Sequence, residues 1–195
     1  MSPLSLRTAL SAVIEALENL KIPYYLGGSV ASSAMGLPRT TLDIDIIADI
    51  QPFQAGRVAD AFRDSFYIDQ DQIAAAIESR SSFNIIHSET ALKVDIFIPQ
   101  DREYDREALA RRRRETLSGE DDAISCYLAS PEDIILSKLE WYKSGGLVSG
   151  RQWQDVQGVM KVQGRELDQA YMKRWALKLS ISELLDNALV EAGIA

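Results

Sequence analysis

The sequence has one cysteine and one histidine. Cys126 alone cannot close an internal disulfide, which fits a reducing compartment, so the cytoplasm is the expected location. One residue of each kind also excludes an ordinary Cys/His zinc site. No apolar run reaches the roughly 18 residues of a membrane-crossing helix. The opening stretch "MSPLSLRTALSAVIEALENL" lacks the basic start and compact apolar block of a signal peptide. Positive charge is in deficit, with a formal net charge of -8. Such a surface repels polyphosphate, so general nucleic-acid binding is not expected. Repeats, low-complexity stretches, the P-loop and the G-x-G-x-x-G fingerprint are all missing.

What is present suffices for a real core: 195 residues, 46% of them hydrophobic. Leu6, Leu10, Val13, Ile14, Leu17 and Leu20 recur at helical spacing. Ser2 with Pro3 can start that helix, and Pro23 ends it. "YYL" reads as a strand, "SVASSAMGL" as a small-residue helix and "TLDIDIIAD" as a strand. Pro52 opens a helix through about Phe66, and 71–80 reads as another. "SFNIIH" and "ALKVDIFIP" are two strands of a hairpin. A helix is expected over 104–114; its "RRRR" end, Arg111 to Arg114, is a local basic patch or, favoured because no aromatic residues interleave the run, a solvated helix end, where cations suit the C-terminus. "AISCYLA" alternates as a strand. "SPED" (Ser130 to Asp133) starts a helix with a cap, a proline and early acids. Helices follow at 151–163, 166–179 and 181–192, the last with Ser180 and Glu183 as a capping box. Trp141, Trp153 and Trp175 fall at core positions, and His87 reads as structural. The expected class is α+β: a mixed sheet flanked by helices over 1–129, then a helical part over 130–195.

Two aspartates sit inside an apolar strand. Side chains alternate faces along a strand, so Asp43 and Asp45 share one face, while Ile44 and Ile46 take the other. In "KVDIFIP", Val94, Ile96 and Ile98 face one way and Asp95 the other. If the strands pair, three carboxylates converge. They would repel unless a cation neutralised them. All-oxygen ligands suit a hard ion, Mg²⁺ or Mn²⁺. The alternative is an exposed acidic face. Upstream, Gly27 and Gly28 join a strand to a helix, and Ser29 adds a hydroxyl. This is a phosphate cradle or a plain tight turn.

Together, "GGSVAS…RTTLDIDI…KVDIF" resembles the nucleotidyltransferase superfamily of the DNA polymerase β type. The resemblance covers about residues 24 to 98. It implies a glycine turn of Gly27, Gly28 and Ser29 for phosphate, and Asp43, Asp45 and Asp95 as metal ligands. Arg39 and Thr41 match basic and hydroxyl positions of the family. Arg39 could fork onto a triphosphate or lie solvated. "SPEDIILSKLEWYKSGG" with "RQWQDVQGVM" is similar to the abortive-infection toxin type and its uncharacterised relatives. There a lysine on one helix and an aspartate on the next complete the site. Lys138 and Asp155 match; the basic residue usual before that aspartate is Gln154 here. Lys138 also falls within an apolar helical stripe, where a lysine snorkels or meets an anion. Asp155, one turn after Arg151, could instead form a surface pair.

The resemblance implies transfer of a nucleoside monophosphate from an NTP to an acceptor hydroxyl, with Mg²⁺ or Mn²⁺ as cofactor. The acceptor is a small molecule, a protein or a tRNA. A toxin role with an antitoxin partner follows from the narrower likeness. The alternatives are a silent nucleotide-binding module and an antitoxin-like interaction protein of the same fold.

Overall fold

A computed structural model describes residues 3–41, 43–117 and 123–194, without the side chains of 3 and 4. Ser2, expected to help start the first helix, and Leu42, expected in a strand, lie outside the described residues. In chain order the elements are α1 (Pro3–Asn19), β1 (Tyr24–Leu26), α2 (Gly28–Met35), β2 (Ile44–Ala48), α3 (Ala55–Phe62), β3 (Phe66–Tyr67), α4 (Gln70–Ser79), β4 (Ser82–His87), β5 (Lys93–Phe97), α5 (Glu103–Arg111), β6 (Arg113–Leu117), β7 (Ile124–Leu128), α6 (Pro131–Ser144), α7 (Gly150–Gln163), α8 (Gln169–Lys178) and α9 (Ser182–Ala192). Single 3-10 turns lie at Pro52–Gln54 and Gly164–Glu166. The class is α+β, with a mixed sheet and many helices. Among the described residues no helix is long and apolar enough to cross a membrane.

The chain divides into two compact units, the first of Met1–Gly27 with Thr41–Leu128, the second of Gly28–Thr40 with Ala129–Ala195. The first holds a seven-stranded sheet in the order β3-β4-β5-β2-β1-β7-β6. β4 and β5 form the expected antiparallel hairpin. β2 runs parallel to β5 and antiparallel to β1. One face of these strands carries Ile44, Ile46, Val94 and Ile96, all fully buried. Each such side chain contributes about 1.5–3 kcal/mol of transfer free energy, and together they fix the register, because a one-residue slip would turn them to the other face. His87 is buried at the hairpin turn, its Nδ1 3.0 Å from Thr90 Oγ1. Its ring meets that of Phe66 edge-on at 5.1 Å between centroids.

The helix expected over 104–114 ends at Arg111, and Arg113 and Arg114 open an edge strand instead. Arg114 pairs with Tyr127 across the β6–β7 ladder. The guanidinium of Arg112 lies 4.7 Å, and that of Arg114 5.3 Å, from the Tyr127 ring centroid. A guanidinium over an aromatic face gains cation–π attraction, so a cross-strand tyrosine supplies the aromatic surface that the arginine run itself lacks. The helix expected from Pro52 to Phe66 likewise breaks into a 3-10 turn, α3 and the short strand β3.

The second unit packs α2, α6, α7, α8 and α9 against one another. α6 starts as expected: Ser130 caps it, accepting from the Asp133 N–H at 3.1 Å, with Pro131 in the first turn. The early acids also tie down α8. Asp133 Oδ1 accepts from Tyr171 Oη at 2.7 Å, and Glu132 Oε1 accepts from the Asp168 N–H at 3.0 Å. Both acids are buried, and a buried carboxylate needs such donors. The expected capping box of α9 does not form. Ile181 is the N-cap, while Ser180 takes a positive φ of 58° and its carbonyl accepts from Lys143 Nζ at 2.8 Å. α8 begins at Gln169, later than 166. Trp175 is buried, but Trp141 is 59% exposed, a correction to its expected core position. The helical stripe of α6 instead buries Lys138.

Gly36 lets α2 and α7 approach closely. A Cβ there would lie 2.7 Å from the Val159 nitrogen and 2.9 Å from the Gly158 carbonyl carbon. Backbone cannot yield as a side-chain tip can. Gly36→Ala should therefore cost about 1–3 kcal/mol and lower the melting midpoint by about 3–10 °C, read by thermal circular dichroism. An unchanged midpoint would show that the helices separate without cost.

Candidate active site

The glycine turn grows out of β1. Leu26 pairs with Ile46, and the Gly27 N–H then donates to the Asp45 carbonyl at 2.9 Å. That bond fixes the backbone at the position bearing the carboxylate. Gly28 has a φ of 53°, a left-handed conformation glycine adopts without a Cβ penalty. The next residue, Ser29, lies in the first turn of α2.

The acids follow from strand register. Asp45 and Asp95 are direct Cα partners in the parallel β2–β5 pair. Both are half-buried, while the isoleucine and valine neighbours on either side are buried. The two carboxylates therefore stand side by side on one sheet face. Asp43 lies just before β2 and is exposed; its N–H donates to Thr41 Oγ1 at 3.3 Å. Thr41 thus shapes the backbone leading into the strand.

A residue absent from the expected set joins this face. Lys93 lies two positions before Asp95, so it shares that side of β5. Its Nζ pairs with Asp95 Oδ2 at 2.7 Å. The ammonium pKa is raised, first by the hydrogen bond to Asp95, and further by the charges of Asp95, Asp43 and Asp45, against a desolvation that lowers it. The period-two alternation that pairs Asp43 with Asp45 could have revealed Lys93 as well. Among the described residues, no three acid, histidine or cysteine side chains gather into a ready-made metal cage. Magnesium does not need one. It binds through one or two carboxylates plus substrate phosphates and keeps several waters. Asp45 beside Asp95 fits that requirement.

In the second unit, Asp155 collects the remaining expected residues. Arg39 grips it bidentately: Nε donates to Oδ1 at 2.7 Å and Nη2 to Oδ2 at 2.9 Å. Arg39 Nη2 also donates to Ser29 Oγ. From α6, Lys138 Nζ donates to Asp155 Oδ2 at 2.7 Å and to Gln152 Oε1 at 3.2 Å. Lys138 and Asp155 side chains are each 6% exposed. Burial is the largest single influence on the Asp155 carboxyl and raises its pKa. Hydrogen bonds from Arg39 and Lys138, with their charges, outweigh it, and the net displacement is downward. Asp155 thus meets two cations, the expected Lys138 and Arg39, rather than the alternative surface partner Arg151. Gln152, a second residue outside the expected set, sits one turn before Asp155 on the same helix face.

No family model matches the chain, and no curated protein does. Solved structures do. The antibiotic-resistance factor ANT(2'')-Ia is 13% identical over 95% of this chain and 99% of its own, with a TM-score of 0.58. An antigenic nucleotidyltransferase-like protein from Paracoccidioides brasiliensis is 20% identical over 98% of this chain and 93% of its own, with a TM-score of 0.55. ANT(2'')-Ia in complex with adenylyl-2''-tobramycin matches at 13% identity over 89% and 95%, with a TM-score of 0.54. What the chain shares with them is an architecture, and that architecture is the nucleotidyltransferase fold.

Proposed function

We propose that this chain transfers a nucleoside monophosphate from an NTP to an acceptor hydroxyl and releases pyrophosphate. The observation that carries the reading is the register pair Asp45–Asp95, held on one face beside the strand that the glycine turn continues. Asp43, Asp45 and Asp95 would hold Mg²⁺ or Mn²⁺. The ion, when bound, supplies neutralisation of the triphosphate and a lowered pKa for the acceptor hydroxyl. Asp95 then accepts the hydroxyl proton. The acceptor oxygen attacks the α-phosphorus in line, the bond from that phosphorus to the bridging oxygen breaks, and pyrophosphate leaves. The family resemblance assigns the β- and γ-phosphates to Gly28 and Ser29, and assigns Lys138 and Arg39 to offsetting developing charge.

The acceptor we favour is a small molecule or a protein. An acidic chain of net charge -8 is poorly suited to a polyanionic tRNA, and the solved complex of ANT(2'')-Ia contains an adenylylated small molecule, adenylyl-2''-tobramycin. The likeness to abortive-infection toxins adds a toxin role restrained by an antitoxin protein. The test is incubation of the purified chain with Mg²⁺ and each α-³²P-labelled NTP, together with fractionated cell extract. Label should move to an acceptor with stoichiometric pyrophosphate release. Calorimetric NTP binding without label transfer would select the silent nucleotide-binding module, and no binding would select the interaction protein.

A further inference from the structure

The carboxylate face already carries a cation of its own. Lys93 Nζ reaches Asp95 Oδ2 at 2.7 Å. Any divalent ion using Asp95 must take the oxygen that this ammonium holds, or bind the other oxygen of the same carboxylate at close range to a like charge. Two cations within a few ångström repel. Lys93 is itself half exposed, so releasing it into water costs little ordering or burial. A long, flexible stem gives the ammonium somewhere to go.

We propose that Lys93 is a built-in competitor for the divalent cation. It offsets the charge of Asp95 while the site is empty, lessens the repulsion between the neighbouring carboxylates, and is displaced from Asp95 when metal arrives. Lys93 is then a positioning residue that sets the metal concentration at which the site fills. This rests on the metal-binding reading of Asp45 and Asp95 above.

The test is Mn²⁺ binding to the full chain without nucleotide, followed by electron paramagnetic resonance of the free ion, for wild type, Lys93→Met and Lys93→Arg. Lys93→Met keeps the stem and removes the charge. It should bind Mn²⁺ about tenfold more tightly, the scale expected for removing one like charge from a half-solvated site. Lys93→Arg should stay within about twofold of wild type, since the charge is retained. Thermal melts establish that each variant is folded. Equal affinity in Lys93→Met and wild type, or weaker binding in Lys93→Met, overturns the competition while leaving the metal site intact. No Mn²⁺ binding by any of the three overturns the metal reading, and the competition with it.

Discussion

Asp45→Asn should reduce Mg²⁺-dependent NTP turnover by about 10²–10³-fold or more, the scale seen when a preorganised electrostatic group is removed. It should leave stability within about 0.5 kcal/mol, as for a surface-facing substitution. The separation of the two effects follows from the strand. Ile44 and Ile46 carry the packing of β2 and are fully buried, whereas the Asp45 side chain is on the opposite, half-buried face. The Gly27 N–H bonds the Asp45 carbonyl rather than its carboxylate, so the turn survives the change. The amide keeps the size of the carboxylate and removes the charge. Label transfer from α-³²P-NTP gives the first number and chemical denaturation the second. In cells, the same substitution should relieve any growth arrest caused by the wild-type chain. Turnover equal to wild type in a folded variant would dispose of the proposed chemistry.

The second large effect belongs to stability. Asp155→Ala should cost about 3–5 kcal/mol, because it strands a buried charge. Lys138 keeps only Gln152 among its named partners, and Arg39 loses both arms of its fork. Lys138→Met should cost less, since Arg39 continues to satisfy Asp155 from the other side. The order of the two losses is therefore the prediction, read from denaturant midpoints. Equal losses would mean that the pair acts as an isolated bridge, without Arg39. The pH dependence has a definite sign. A carboxyl whose folded pKa lies below its unfolded value stabilises the fold fully above the unfolded pKa of about 3.9. Its contribution falls as pH drops below that value and through the lower folded pKa. Acid unfolding of wild type should thus steepen below about pH 4, and Asp155→Asn should flatten that region.

The elements read well where the signal was local. Alternation of apolar and acidic residues in 44–48 and 93–97 gave both strands and turned Asp45 and Asp95 away from their buried neighbours, because a strand's side chains have a period of two. The cap at Ser130 and the hairpin of β4 and β5 followed from nearest-neighbour chemistry. Errors arose where local signals were weak. Arg113–Leu117 is an edge strand with exposed and half-buried residues, so no hydrophobic period marked it, and the run of four arginines at 111–114 suits a helix end equally well. Trp141 lies on the exposed side of α6 although its spacing matched a core stripe.

The sequence by itself determined which residues could share a face, since that depends only on backbone period. It put Asp45 and Asp95 opposite their apolar neighbours and set Lys138 in an apolar stripe. Only the tertiary structure decided which faces meet. The parallel β2–β5 register sets Asp45 beside Asp95, and Arg39, 116 residues away in the chain, becomes the partner of Asp155 in place of Arg151. Those pairings depend on long-range packing of buried hydrocarbon, which fixes strand register and helix contact but leaves no mark at the spacing of a single turn.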